Sequence, residues 1–248
     1  MDILNLFIKD NIYFILVFYK MNKISEYDER IERYKYVAAN LSKLKITNYI
    51  IGTGLTGIAY RAYVNSVKCV AIRKKIGIFK EDELEIYKIT REFVISGKNE
   101  NFIISYGIIS NHLILESGNS NMDRIPNNTR QIDHVYIYLK IFKALKLLHE
   151  HNILHNDVTF SNVLFLENSI NPLLTDYDRS FIVRGRKLKD DEIMYDVQRV
   201  VSHTITAILN YNKIEQKPPF ELYTILKDVT TTKQAIKNLK KIKSKFKK

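Results

Sequence analysis

The sequence predicts an α+β fold in two parts: a small antiparallel sheet carrying one helix, then a mainly helical region. Two changes of pattern predict it. Helical spacing gives way to short β-rich runs divided by glycines near residue 46, and helical spacing returns beyond an Asn-rich stretch, "GNSNMDRIPNNTR", at 118–130. Size is the third observation, because 248 residues with 46% hydrophobic content can bury the core of two small lobes.

Residues 1–45 read as an extension. Its run "NIYFILVFYK" has eight consecutive apolar residues, far short of the ~20 that span a bilayer, so no membrane span is expected. Met21 just beyond offers a second translation start. "SEYDERIERYKYVAANLSKL" then reads as a helix, with Ser25 and Asp28 spaced as a capping box and Ile31, Tyr34, Val37, Leu41 and Leu44 forming one stripe. That stripe predicts packing rather than chemistry.

Residues 46–117 hold the predicted sheet. "YIIGTGLTGIAYRAYVNSVKCVAIRKK" gives a ribbon with an Asn-Ser turn, "EDELEIYKITREF" a helix, and "FIISYGIIS" and "HLILES" two more strands. Residues 118–231 hold the helical region: "IDHVYIYLKIFKALKLLHE" is apolar nearly all round, as in a buried helix, and "YDVQRVVSHTITAIL" is a second such segment. Between them, "NVLFL" and "PLLTD" read as a hairpin.

The net charge of +12 is concentrated at the end, where residues 232–248 hold eight lysines and no acid. Ile236, Leu239, Ile242 and Phe246 recur there at helical spacing. The stretch reads either as a solvated, frayed terminus or as a basic amphipathic helix for nucleic acid or an acidic surface. A single cysteine, Cys69, excludes an internal disulfide and suits a reducing, intracellular compartment, cytoplasm or nucleus.

Candidate chemistry falls in three places. Gly52, Gly54 and Gly57 form G-x-G-x-x-G, whose exposed backbone N–H groups suit close approach to phosphates. A strand rather than a helix comes after them, which favours a hairpin lid over a dinucleotide turn. In "VKCVAIRKK", alternation puts Ala71 and Arg73 on one side of a strand, with Lys74 on the other unless a bulge intervenes. Glu83 and Glu85 in the next helix both have the spacing to pair with this cation, Glu85 being preferred. Finally, "LLHEHNILHNDVTFSNVLFL" places His155, Asp157 and Asn162 between apolar runs, where polar groups need partners or a purpose, and Asp176 comes next in "LLTDYDRSF".

The ordered series, glycine loop, V-A-I, H-x-D-x-x-x-x-N and D-x-D, resembles the protein kinase superfamily over roughly residues 46–210. The resemblance implies a two-lobed protein-kinase-like fold that holds ATP beneath the glycine loop. It implies that Ala71 lines the nucleotide pocket, that Arg73 stands at the phosphate-binding lysine position with Glu85 as its partner, and that Glu116 lies in the hinge. Asp157 would orient the attacking hydroxyl, Asn162 and Asp176 would bind Mg2+, and Asp196 would anchor the loop. The chain departs from the pattern at Arg73, at Asn156 for arginine, at Thr159 for lysine and at Asp178 for glycine, and it shows no A-P-E. Similar replacements occur in haspin-like kinases, and "HNDVTFSN" is similar to the loop of the kinase in the tRNA threonylcarbamoylation complex. The implied activity is ATP- and Mg2+-dependent phosphorylation of serine or threonine on a protein substrate. The alternative is a pseudokinase that binds nucleotide or docks a partner, with Arg73 the main reason to weigh it.

Overall fold

A computed structural model describes residues 25–118, 120–121, 131–166, 169–211, 226 and 228–245. The apolar run at 11–20, most of the Asn-rich stretch and residues 212–225 lie outside the described residues.

The chain is α+β. Helix α1 (Glu26–Ala39) starts at Ser25, whose Oγ accepts from the Asp28 N–H and donates to the Asp28 carboxylate. This is the capping pattern that the sequence predicts. Strands β1 (Leu44–Thr53), β2 (Gly57–Val64), β3 (Val67–Lys74), β4 (Ser105–Ile109) and β5 (His112–Glu116) form a five-stranded antiparallel sheet in the order β1-β2-β3-β5-β4. Asn65 turns β2 into β3, and Ser110 and Asn111 turn β4 into β5, all with positive φ. Asparagine tolerates that region better than most side chains.

Helix α2 (Glu81–Ile95) enters between β3 and β4 and buries Glu83, Ile86, Tyr87, Thr90, Phe93 and Val94. A backbone splice ties the start of β4 to the strand at 172–174: Leu174 N–H donates to the Asn101 carbonyl at 2.9 Å, and Ile103 N–H to the Leu174 carbonyl at 3.1 Å.

Beyond the sheet, helix α3 (Gln131–Glu150) is buried along much of its length, with Phe142, Ala144, Leu145 and Leu148 fully enclosed. Short strands β6 (Ser120–Asn121), β8 (Val163–Phe165) and β9 (Pro172–Leu174) make one small sheet that contains the predicted hairpin. Strands β7 (Ile153–Leu154) and β10 (Phe181–Ile182) make another. Helix α4 (Asp190–Tyr211) comes next, then α5 (Thr232–Lys245).

The lysine-rich end is part of the body of the protein. Helix α5 lies along α3 and places Ala235, Leu239 and Ile242 in the same core as Phe142 and Leu145. Lys233, Lys237, Lys240 and Lys241 stay on the outer face, and the half-buried Lys243 has its ammonium 5.1 Å from the centre of the Tyr136 ring on α3. The solvated-terminus reading fails for this segment because helical spacing gives it an apolar stripe and α3 supplies a surface for it. Among the described residues, no helix is long and apolar enough to cross a membrane.

Candidate functional site

The site assembles where the end of β3, the first turn of α2 and the loop after β9 meet. Successive strand residues face opposite ways, so Cys69, Ala71 and Arg73 share one face of β3 while Val70, Ile72 and Lys74 share the other. The cation that meets α2 is Lys74. Its ammonium lies 3.0 Å from the Glu83 carboxylate and 2.8 Å from that of Asp178, with all three side chains largely enclosed.

This corrects two sequence expectations. Arg73 points outward and donates to the Tyr60 hydroxyl at 3.0 Å. Glu85 sits on the outside of α2 and pairs with Arg184 at 2.7 Å. Ala71 is buried on the face away from Lys74. The residue two before Lys74 on its own face is Ile72, which lies directly across from Ala59.

Of the three glycines, Gly57 is the one paired with this lysine. Gly52 is in β1, Gly54 donates its N–H to the Gly57 carbonyl at 2.9 Å to close the turn, and Gly57 opens β2 directly opposite Lys74. A Cβ on Gly57 would meet Ile72 Cγ2 at 3.4 Å and the Arg73 carbonyl oxygen at 3.5 Å. Lys75 N–H donates to the Thr56 carbonyl, tying the turn to the end of β3.

Asp178 is the hub of the charges. Besides Lys74 it has Lys80, which donates to the Asp178 carbonyl at 2.6 Å, and a side-chain hydrogen bond from Thr56 in the glycine turn. Burial raises the Asp178 carboxyl, but Lys74 and the other donors more than offset this and hold it below the ordinary carboxylate value. Burial also opposes charge on Lys74, yet its two carboxylate partners keep it above the usual lysine value. Burial dominates at Glu83, whose carboxyl is raised and whose second oxygen, Oε2, has no hydrogen-bond partner.

The loop from His155 to Asn162 is held from below by Asp196 on α4. That fully buried carboxylate accepts from the His155 N–H at 2.9 Å and the Asn156 N–H at 2.7 Å, and His149 Nε2 stands 3.0 Å away. Asn156 takes a φ of +62°, which asparagine accommodates without a large penalty. His155 is enclosed, and its Nε2 donates to the Thr175 carbonyl at 3.1 Å. Burial pushes its pKa down, and through the Thr175 contact the ring braces the loop.

Asn162 donates its amide NH2 to the Asp157 carbonyl at 2.9 Å and to Asp157 Oδ2 at 3.3 Å. Its Oδ1 therefore faces away with one long contact, from Ser161 at 3.4 Å. Asp176 is exposed, with a φ of +64°, two residues before Asp178. Asn162 Oδ1 and the Asp176 carboxylate are hard oxygen donors of the kind magnesium takes. Between Asp176 and Asp178, Tyr177 is fully buried, with its ring centre 4.7 Å from that of Tyr87 of α2, edge-on, and 5.2 Å from that of His155, tilted. It couples the helix that holds Glu83 to the loop that holds Asp157.

Glu116 has a role that its place in the sequence does not announce. Its carboxylate is buried and takes two hydrogen bonds from Arg30 of α1, at 2.9 and 2.7 Å, plus the Ile104 N–H at 3.2 Å. Arg30 also donates to the Glu100 and Phe102 carbonyls, so α1 is clamped to the end of β5. In the sequence Arg30 and Arg33 both flank the apolar stripe of α1, and nothing local says that Arg30 rather than Arg33 turns inward. No protein-family model matches the chain, and no curated protein does.

Proposed function

We propose that the protein is an ATP- and Mg2+-dependent phosphotransferase of the protein-kinase-like type, acting on serine or threonine hydroxyls of a protein substrate. The observation that carries this reading is the Lys74–Glu83 ion pair. Arginine at position 73 is the main objection that the sequence raises, and a lysine in the buried pair meets it: an ammonium is compact and adjustable where a guanidinium is a fixed fork.

The chain's own residues divide the work. Lys74, steadied by Glu83, would hold nucleotide phosphates beneath the glycine turn. Asp157, oriented by the Asn162 amide, would accept a hydrogen bond from the attacking hydroxyl and take its proton as the new oxygen–phosphorus bond forms and the bond from the γ-phosphorus to the β-phosphate oxygen breaks, ADP leaving with that oxygen. Asn162 Oδ1 and Asp176 would hold magnesium, which when bound neutralises charge on the phosphates. Asp196 and His155 fix the loop so that Asp157 need not reorganise.

The test is transfer of the γ-phosphate from labelled ATP to generic protein substrates, for wild type beside Asp157→Asn. Transfer that falls by two or more orders of magnitude in the variant, on the order of 10² or greater, is expected. Equal transfer by both proteins would sink the assignment.

A further inference from the structure

The seat beside Lys74 is already occupied by an anion of the protein. Lys74 has three N–H donors; Glu83 and Asp178 each engage the ammonium. Lys80 is the only other cation in ion-pair range of Asp178 among the described residues, and its ammonium is mostly exposed and 3.9 Å from the carboxylate. The formal charge of the four groups Lys74, Lys80, Glu83 and Asp178 is zero. A polyphosphate entering alone would meet no net positive charge and one carboxylate in the position it needs.

The two carboxylates differ in how easily they leave. Glu83 is on a helix, is almost completely enclosed and has an oxygen without a partner. Asp178 is in the turn after β9, is more exposed than Glu83 and is followed by the exposed Arg179. Lys80 grips its backbone carbonyl, so the carboxylate can rotate away from Lys74 and Thr56 while the turn stays attached.

We infer that Asp178 is an internal competitor for the phosphate seat on Lys74, and that it makes nucleotide affinity depend on a divalent cation. Free nucleotide has to displace the carboxylate and then remain beside it, unneutralised. A nucleotide that carries metal brings compensating charge, so the displaced carboxylate no longer opposes it. This rests on the nucleotide-binding reading above and adds a control on entry to the site.

The experiment is calorimetric titration of ADP into full-length wild type, Asp178→Asn and Asp178→Gly, each with excess Mg2+ and with a chelator. For wild type, affinity with Mg2+ should exceed affinity without it by about tenfold or more, as expected for one unscreened charge a few ångströms from phosphate. In Asp178→Asn the metal-free affinity should rise about tenfold while the Mg2+ affinity changes by less than about threefold. The Gly variant should behave alike, and serves if the Asn variant does not fold. Unchanged or weaker metal-free binding in the variants, with wild type still binding, overturns the role of Asp178 alone. Absence of nucleotide binding in all three proteins under both conditions overturns the nucleotide reading itself.

Discussion

Replacing Lys74 with methionine while leaving Arg73 in place separates the two cations that the sequence sets side by side. Both Glu83 and Asp178 touch the same nitrogen, at 3.0 and 2.8 Å, so their oxygens are within about 6 Å of each other. Without the ammonium the two carboxylates repel by about 3 kcal/mol at an effective dielectric constant near 20. Protonation of Glu83, whose carboxyl is already raised, relieves part of this. A loss of about 3 kcal/mol is therefore expected, at the lower end of what breaking a buried pair costs. Urea unfolding measures it. Phosphate transfer should fall by about 10²–10³, the usual loss for one well-aimed donor. Arg73→Ala loses only an exposed hydrogen bond to Tyr60 and a ring contact at 5.6 Å, so stability should change by less than about 1 kcal/mol and transfer by less than about twofold. The opposite ranking, with Arg73→Ala the damaging change in either assay, would refute the assignment of Lys74.

Two further outcomes are expected from packing away from the charges of the site. Arg30→Met strands the buried Glu116 carboxylate and should cost about 3–5 kcal/mol, whereas Arg30→Met with Glu116→Met should cost clearly less than the sum of the two single changes. Additive costs in denaturant unfolding would show that the clamp carries no coupling. Leu239→Ala removes a fully buried side chain from the contact between α5 and α3 and should cost about 2–5 kcal/mol, measured by the shift in urea midpoint. A midpoint unchanged in that variant, or in a chain lacking residues 232–248, would return the lysine-rich end to the status of an appended tail.

The parts legible in the sequence are those whose chemistry is local. Asp157 and Asn162 are five residues apart and hydrogen-bond to each other, so their spacing alone reports their relation. The capping of α1 and the Asn turns are of the same kind, because each is decided within four residues. The face of β3 is a different problem. A period of two defines two faces but does not say which meets α2, and the letters Val70-Ala71-Ile72 favour the wrong one. Glu83 and Glu85 are similarly undecided by spacing, since positions two apart on a helix point in nearly opposite directions and only the neighbour selects between them.

The same limit explains why Asp178 looks in the sequence like a departure rather than a participant. Judged by its place in D-Y-D it only departs from the glycine of the pattern that the sequence resembles. Its partners are Thr56, Lys74 and Lys80, about 100 residues upstream, and no periodicity links them. Once they are brought together, the substitution has a cost and a use that a glycine has not. A carboxylate at position 178 gives the largely buried Lys74 ammonium a second charged partner beside Glu83, which offsets the cost of its burial. Under the proposed nucleotide-binding reading, the group that stabilises Lys74 is then the group a nucleotide would have to displace, and the order of affinities among wild type, Asp178→Asn and Asp178→Gly, with and without Mg2+, reads that opposition directly.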